Sequence, residues 1–165
     1  MYKVGEYVVY KKDVCIIKEI RNNRETGANN YVLNPIDDES LVIQIPTDNK
    51  KNLLRDVITK EEAEHLIEKI PTIQCIENIE DKYIEKTYKE LLTHGTYEDL
   101  IKIIKTTYIR NDKRIKNNKK KSEKDEVYFN LAEKYLYNEL SIAFHKSFEE
   151  TKQFIIDKVI EITKQ

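Results

Sequence analysis

The chain has 165 residues, with 29 Lys and Arg against 30 Asp and Glu and a formal net charge of −1. That length holds one large domain or two small ones, and so even a balance gives no global pull toward DNA or an anionic membrane, so any nucleic-acid contact has to be local. The arginines are Arg21, Arg24, Arg55, Arg110 and Arg114; a Lys-dominated set disfavours sequence-specific readout of base edges, for which the guanidinium fork is suited.

Residues 1–58 read as strands. Val4, Tyr7, Val8, Val9 and Tyr10 form a short apolar run about Gly5, and Val14 to Ile20 is a second run rich in β-branched residues. Asn22 to Asn30, with Gly27, is polar and predicts a loop or hairpin tip. Tyr31-Val32-Leu33 follows, then Pro35 and the acidic turn Asp37 to Ser40, then Leu41 to Ile45 closed by Pro46. Short strands spaced by turn residues predict a small antiparallel barrel or curled sheet, and closure protects edges that so short a sheet would otherwise expose.

The pattern changes at Thr59. Thr59-Lys60-Glu61-Glu62 predicts a capping box, Ala63, Leu66, Ile67 and Ile70 share a helical face, and Pro71 stops the helix. A link over residues 72–78 precedes a helix carrying Ile84, Tyr88, Leu91 and Leu92, with Gly95 placed to end it in the left-handed conformation. Thr96 with Asp99 opens the next helix, whose face is Leu100, Ile101, Ile104 and Tyr108, with Ile115 as a continuation. Residues 116–121, rich in Asn and Lys, predict a solvated turn. Ser122 opens a helix with Phe129, Ala132, Tyr135, Leu136, Leu140 and Ala143 on one face, and Ser147 to Glu150 starts a last helix through Phe154, Ile155, Val159 and Ile162. The expected class is α+β, with a small N-terminal antiparallel β-barrel (1–58), a capped helix and link (59–75) and an all-helical domain (76–165).

Chemistry is sparse. Gly5, Gly27 and Gly95 are too scattered for a phosphate-cradling loop. His65, His94 and His145 are separated from one another and from any nucleophile motif, so no base and orienting group are paired as a triad requires. Cys15 lies in the apolar run Val14 to Ile17 and reads as a buried thiol; with Cys75 it forms no CxxC pair and no zinc spacing. The expectation is a non-enzyme with no cofactor, no metal and no small-molecule ligand. The N terminus has no signal-peptide core and no apolar run nears the roughly 20 residues of a membrane span, so a cytoplasmic, reduced protein without membrane contact is expected.

The segment from Ile101 to Lys121 carries Lys102, Lys105, Arg110, Lys113, Arg114, Lys116, Lys119, Lys120 and Lys121 against the single acid Asp112. One reading is a patch that meets phosphates by counterion release. The other is a solvated face compensated by the acids of Glu123 to Glu126. Tyr88, Tyr108 and Tyr135 sit at core spacing.

Lys3-Val4-Gly5-Glu6-Tyr7-Val8-Val9-Tyr10 resembles the opening of the CarD/CdnL-type transcription regulators, a front end shared with the polymerase-interacting module of transcription-repair coupling factor. Tyr31 to Leu33, Leu41 to Pro46 and Leu54 to Ile58 resemble that family's later strands. Tyr88 to Leu92 through Gly95 to Leu100–Ile104, then Ser122 to Lys124, Leu131 to Lys134 and Glu139-Leu140, follow its helical half in order. The resemblance implies a Tudor-like barrel that docks on the β-subunit lobe of bacterial RNA polymerase, a helical domain beside promoter DNA, and modulation of open-complex stability at initiation. It places the polymerase contacts near Arg21, Asn23 and Gln44, and Val42, on the same strand as Gln44, is expected to join them through a strand edge. The family inserts a Trp at the bubble edge; this chain has no Trp, and the spacing back from Gly95 puts Asp81 there, or Ile79 after a two-residue shift. Of the basic cluster that follows, Lys86 is the clearest survivor, beside Tyr83. DNA contact is therefore expected to be weak and sequence-indifferent, through Tyr83, Lys86, Lys102, Lys105, Arg110, Lys113, Arg114, Lys119 and Lys120. A polymerase-binding adaptor without direct DNA contact and a nonspecific nucleic-acid-binding protein are the alternatives.

Overall fold

The computed structural model describes residues 1–164. Five strands come first: β1 (Tyr7–Tyr10), β2 (Asp13–Asn22), β3 (Asn29–Pro35), β4 (Ile43–Pro46) and β5 (Leu54–Asp56). They form one antiparallel sheet in the order β4-β3-β2-β1-β5. Val8, Cys15, Ile17, Tyr31, Leu33, Ile45 and Leu54 gather into its core. Two sequence expectations shift: Val4 belongs to the turn before β1 and is exposed, and Val42 lies outside β4 and is exposed. The tight turn between β1 and β2 is made by Lys11 and Lys12, both left-handed at φ 47° and 77°, the twist that a two-residue hairpin needs.

Five helices follow: α1 (Lys60–Lys69), α2 (Asp81–His94), α3 (Tyr97–Lys116), α4 (Glu123–Phe144) and α5 (Phe148–Thr163), with a 3-10 turn at Ile70–Thr72 where Pro71 ends α1. The caps are those the sequence predicts. The hydroxyls of Thr59, Thr96, Ser122 and Ser147 accept from the amides of Glu62, Asp99, Asp125 and Glu150, each satisfying an amide that has no partner within the helix. At Thr59 the box is half made: the Glu62 carboxylate accepts from the Thr59 hydroxyl at 3.0 Å instead of reaching the backbone. Gly95 ends α2 at φ 65°, the left-handed region that favours glycine, and a Cβ there would push aside the tip of Lys12, whose Cε would lie 2.5 Å away.

The helical core runs from Ile58 through Ala63, Leu66, Ile67, Ile84, Tyr88, Leu100, Ile103, Leu136, Leu140 and Ile155. Tyr88 is in it, as its spacing predicts, but Tyr108 and Ile115 are exposed. Toward the end of α3 the buried positions are the polar Thr107 and Asn111, the latter bonded to Ser122 and Glu126, and Tyr108 and Ile115 lie beside that face, so apolar periodicity alone misplaces it.

Polar contacts lock the sheet to the helices. Glu139, buried on α4, accepts from Arg55 Nη1 and Nη2 at 2.9 and 2.8 Å, from the Tyr97 hydroxyl at 2.6 Å and from the Ile58 amide at 2.8 Å. Lys134 on α4 pairs with Asp13 and Asp37, each at 3.4 Å.

Candidate partner edge and nucleic-acid interface

The sheet has two end strands with different fates. On β5, the Asn49 side chain both donates to the Leu54 carbonyl at 3.0 Å and accepts from the Leu54 amide at 3.1 Å. The next carbonyl on the same side, that of Asp56, accepts from Arg55 Nη1 at 3.1 Å. Three outward backbone groups of β5, the Leu54 amide and carbonyl and the Asp56 carbonyl, are thus satisfied from within the chain.

β4 is different. The Thr47 amide donates to the Asn29 carbonyl at 3.0 Å, and the register places Ile45 opposite Tyr31 and Ile43 opposite Leu33. Hydrogen-bonded pairs alternate along an antiparallel ladder, so Ile43 and Ile45 spend their backbone groups on β3 while those of Gln44 and Pro46 point outward. Pro46 has no amide hydrogen, which leaves Gln44 as the outward donor of β4. The Gln44 side chain is exposed and Ile45 is buried, as the two-residue period demands.

The other residues expected at a partner contact are distributed about this sheet. Arg21 lies at the far end of β2, exposed, with its guanidinium on Glu19 at 3.2 and 3.0 Å; that pairing raises the Arg21 pKa and lowers that of Glu19. Asn23 is spent on its own turn, its side-chain oxygen accepting from the amides of Glu25 and Thr26 at 2.9 and 3.4 Å.

The basic set divides in the same way. Arg110 is turned inward: Nε reaches Asp125 at 3.0 Å and Nη1 reaches Asp81 at 2.9 Å. Asp125 is buried and also accepts from the Tyr88 hydroxyl at 2.8 Å. Burial works against the Arg110 charge, but the hydrogen bonds to Asp81 and Asp125 outweigh it and hold its pKa above the usual arginine value. Asp81, placed by spacing at the wedge position, is therefore paired within the fold while staying exposed, and the hydrogen bond from Arg110 lowers its pKa. Lys105 is also turned inward, its ammonium on the carbonyls of Ile70 and Ile73, and burial pushes its pKa down. Arg114 Nε closes the α3–α4 turn on the Lys120 carbonyl at 2.8 Å.

Lys105 and Arg110 thus leave the candidate phosphate surface. Lys113, Lys119 and Lys120 stay exposed around the turn that ends α3, and Tyr83 and Lys86 are exposed on α2. Lys102 is half-buried on α3. Lys82 lies over the Tyr83 ring at 5.0 Å. Lys116 and Lys121 are paired with Asp112 and Glu126 at 2.8 and 3.6 Å. The Arg110 bridge holds the start of α2, the end of α3 and the start of α4 together, so the exposed lysines about the α3–α4 turn share that end of the bundle.

Sequence reasoning missed the buried acids. Asp125 sits in the acidic run after Ser122 and Glu139 among the charges of α4; residue type does not distinguish them from surface carboxylates. The one signal is that each occupies the same helical stripe as apolar core residues: Asp125 with Tyr128 and Ala132, Glu139 with Leu136 and Leu140.

No helix among the described residues is long and apolar enough to cross a membrane. Comparison of the chain with protein-family models and with curated proteins gives no match.

Proposed function

We propose that the chain is a non-enzymatic transcription regulator that docks on the β-subunit lobe of bacterial RNA polymerase and alters the stability of the promoter open complex, as the CarD/CdnL-type regulators it resembles do. The antiparallel sheet of β1–β5 is, in this reading, a Tudor-like module. The observation that carries it is the open sheet edge at β4, which offers the outward Gln44 amide beside exposed Val42, whereas on β5 Asn49 and Arg55 already occupy the Leu54 amide and carbonyl and the Asp56 carbonyl. A partner strand added there gains backbone hydrogen bonds, and the side chains of Val42 and Gln44 supply selectivity. Phosphate contact falls to Lys113, Lys119 and Lys120 at the bundle end, with Lys86 and Tyr83 on α2, and is weak and sequence-indifferent.

A second reading has its own observation. Arg110 is consumed by ion pairs within the fold and Lys105 is held on the Ile70 and Ile73 carbonyls, away from the exposed lysines, which thins the basic segment and favours an adaptor that binds polymerase without touching DNA.

The test uses the full chain and its Gln44→Pro variant against RNA polymerase. Proline at Gln44 removes the outward amide without taking a donor from the β3 ladder. Affinity should fall about ten-fold, the equivalent of one hydrogen bond of about 1.4 kcal/mol. Unchanged affinity in folded Gln44→Pro and Val42→Pro variants removes β4 as the docking edge.

A further inference from the structure

Between α3 and α5, with α4 as its floor, lies a cleft of about 470 Å³, inside the roughly 300–1,000 Å³ range of small-molecule sites. Its walls are apolar: Ile101 and Ile104 from α3, Leu136 from α4, Ile155, Ile156 and Val159 from α5. The α3 wall from Ile101 to Tyr108 is two helical turns, about 10 Å. Two lysines and one carboxylate interrupt it. Lys152 pairs with buried Glu133 at 3.2 Å, so those charges cancel. Lys105 differs: it donates to the Ile70 and Ile73 carbonyls, which are neutral acceptors. Its charge has no carboxylate partner among the described residues, and an ammonium has three donors, of which those carbonyls take two.

We infer that this cleft binds a small amphiphile with a linear aliphatic body and one anionic head, the body lying on Ile101, Ile104, Leu136 and Ile155 and the head taking the third donor of Lys105. The single uncompensated charge selects an anion over a cation or a zwitterion, because a partly buried ammonium gains most from a counter-charge in a poorly solvated site. Ile156, on the open wall and 40% exposed, gains cover when the body binds. Lowering of the Lys105 pKa by burial is the cost that such an anion offsets. The site is independent of the β4 edge, so its failure leaves the polymerase reading untouched.

The test is calorimetric titration of the full chain with decanoate, below its aggregation concentration, and with decan-1-ol. Decanoate should bind with one site per chain. Lys105→Gln keeps a donor for the carbonyls but removes the charge; it should weaken decanoate at least ten-fold and leave decan-1-ol unchanged. Ile156→Glu, on a partly exposed position where folding is checked by thermal melting, should abolish both. Decanoate that fails to bind the parent, or binds folded Ile156→Glu as well as the parent, overturns the site; decanoate binding indifferent to Lys105→Gln overturns the assignment of the head. A parent that ignores decanoate and sediments as a dimer split by Ile156→Glu shows the cleft covered by a second copy, and the proposal fails.

Discussion

Arg55 on β5 and Glu139 on α4, 84 residues apart in sequence, meet in a two-pronged ion pair with both nitrogen–oxygen distances under 3 Å. The carboxylate is almost fully buried while the guanidinium is about half exposed. Bidentate geometry fixes direction as well as distance, so the pair sets how the end of the sheet meets the helices. Its hydrogen bond to Glu139 raises the Arg55 pKa.

Arg55→Ala should therefore destabilise the protein by about 2–3 kcal/mol, less than the loss for a fully buried pair because Arg55 reaches water. Glu139 would keep the Tyr97 hydroxyl and the Ile58 amide but lose both charged donors. Urea unfolding of parent and variant measures the difference. A change below about 0.5 kcal/mol, the range of ordinary surface substitutions, would mean that the pair does not couple the two parts of the fold.

Arg110 and the exposed lysines should separate cleanly. Arg110→Ala leaves Asp125 buried without its cation and should cost about 3 kcal/mol. Changing Lys113, Lys119 and Lys120 together to Gln should alter stability by no more than about 0.5 kcal/mol. The same triple change should lower the slope of log affinity for promoter DNA against log salt by about one for each phosphate that is no longer neutralised, measured on the polymerase-bound complex. A salt titration identical to that of the parent would favour the adaptor reading.

The two cysteines should react differently. Burial pushes the Cys15 thiol up to about 12, whereas Cys75 is only half-buried. Since the thiolate is the nucleophile, iodoacetamide on native protein at neutral pH should add one label, at Cys75, and two after unfolding. Intact mass reads the count directly; rapid double labelling of the native protein would contradict the buried placement of Cys15.

Glu133 gives a pH dependence. Burial raises its pKa above the ordinary 4.5, against the pull of Lys152. A folded-state pKa above the unfolded value means that its contribution to stability is whole below about 4.5 and declines as pH rises through the folded value. Stability of Glu133→Gln relative to the parent should therefore improve from pH 4 to pH 7. Parallel urea midpoints over that range would show that the carboxyl is not perturbed.

Much of the local structure is legible in the sequence because it depends on neighbours. Thr96, Ser122 and Ser147 cap helices through an amide three residues on, and Gly95 ends one through its own backbone freedom. The partner edge is legible in part: Gln44 and Pro46 are visible as strand residues, but which end of the sheet is open depends on Asn49 folding back to Leu54. The bundle end is least legible. Arg110 looks like any member of a basic run until Asp125, 15 residues away, and Asp81, 29 residues away, are brought to it. Tyr108 fails for the converse reason, since its apolar spacing is real but no element lies over it.

The unequal ends of the sheet have a consequence for how copies of the chain can meet. Fibre growth by strand addition needs a donor edge and an acceptor edge on every subunit, because each arrival must leave a fresh edge for the next. Here Asn49 occupies the Leu54 backbone on one flank, and Pro46 withholds an amide on the other. Two chains pairing through β4 would use up that edge on both and leave only their β5 ends outward. Addition at β5 would first have to displace the Asn49 side chain from Leu54, a barrier to continued stacking that the exposed β4 strand lacks.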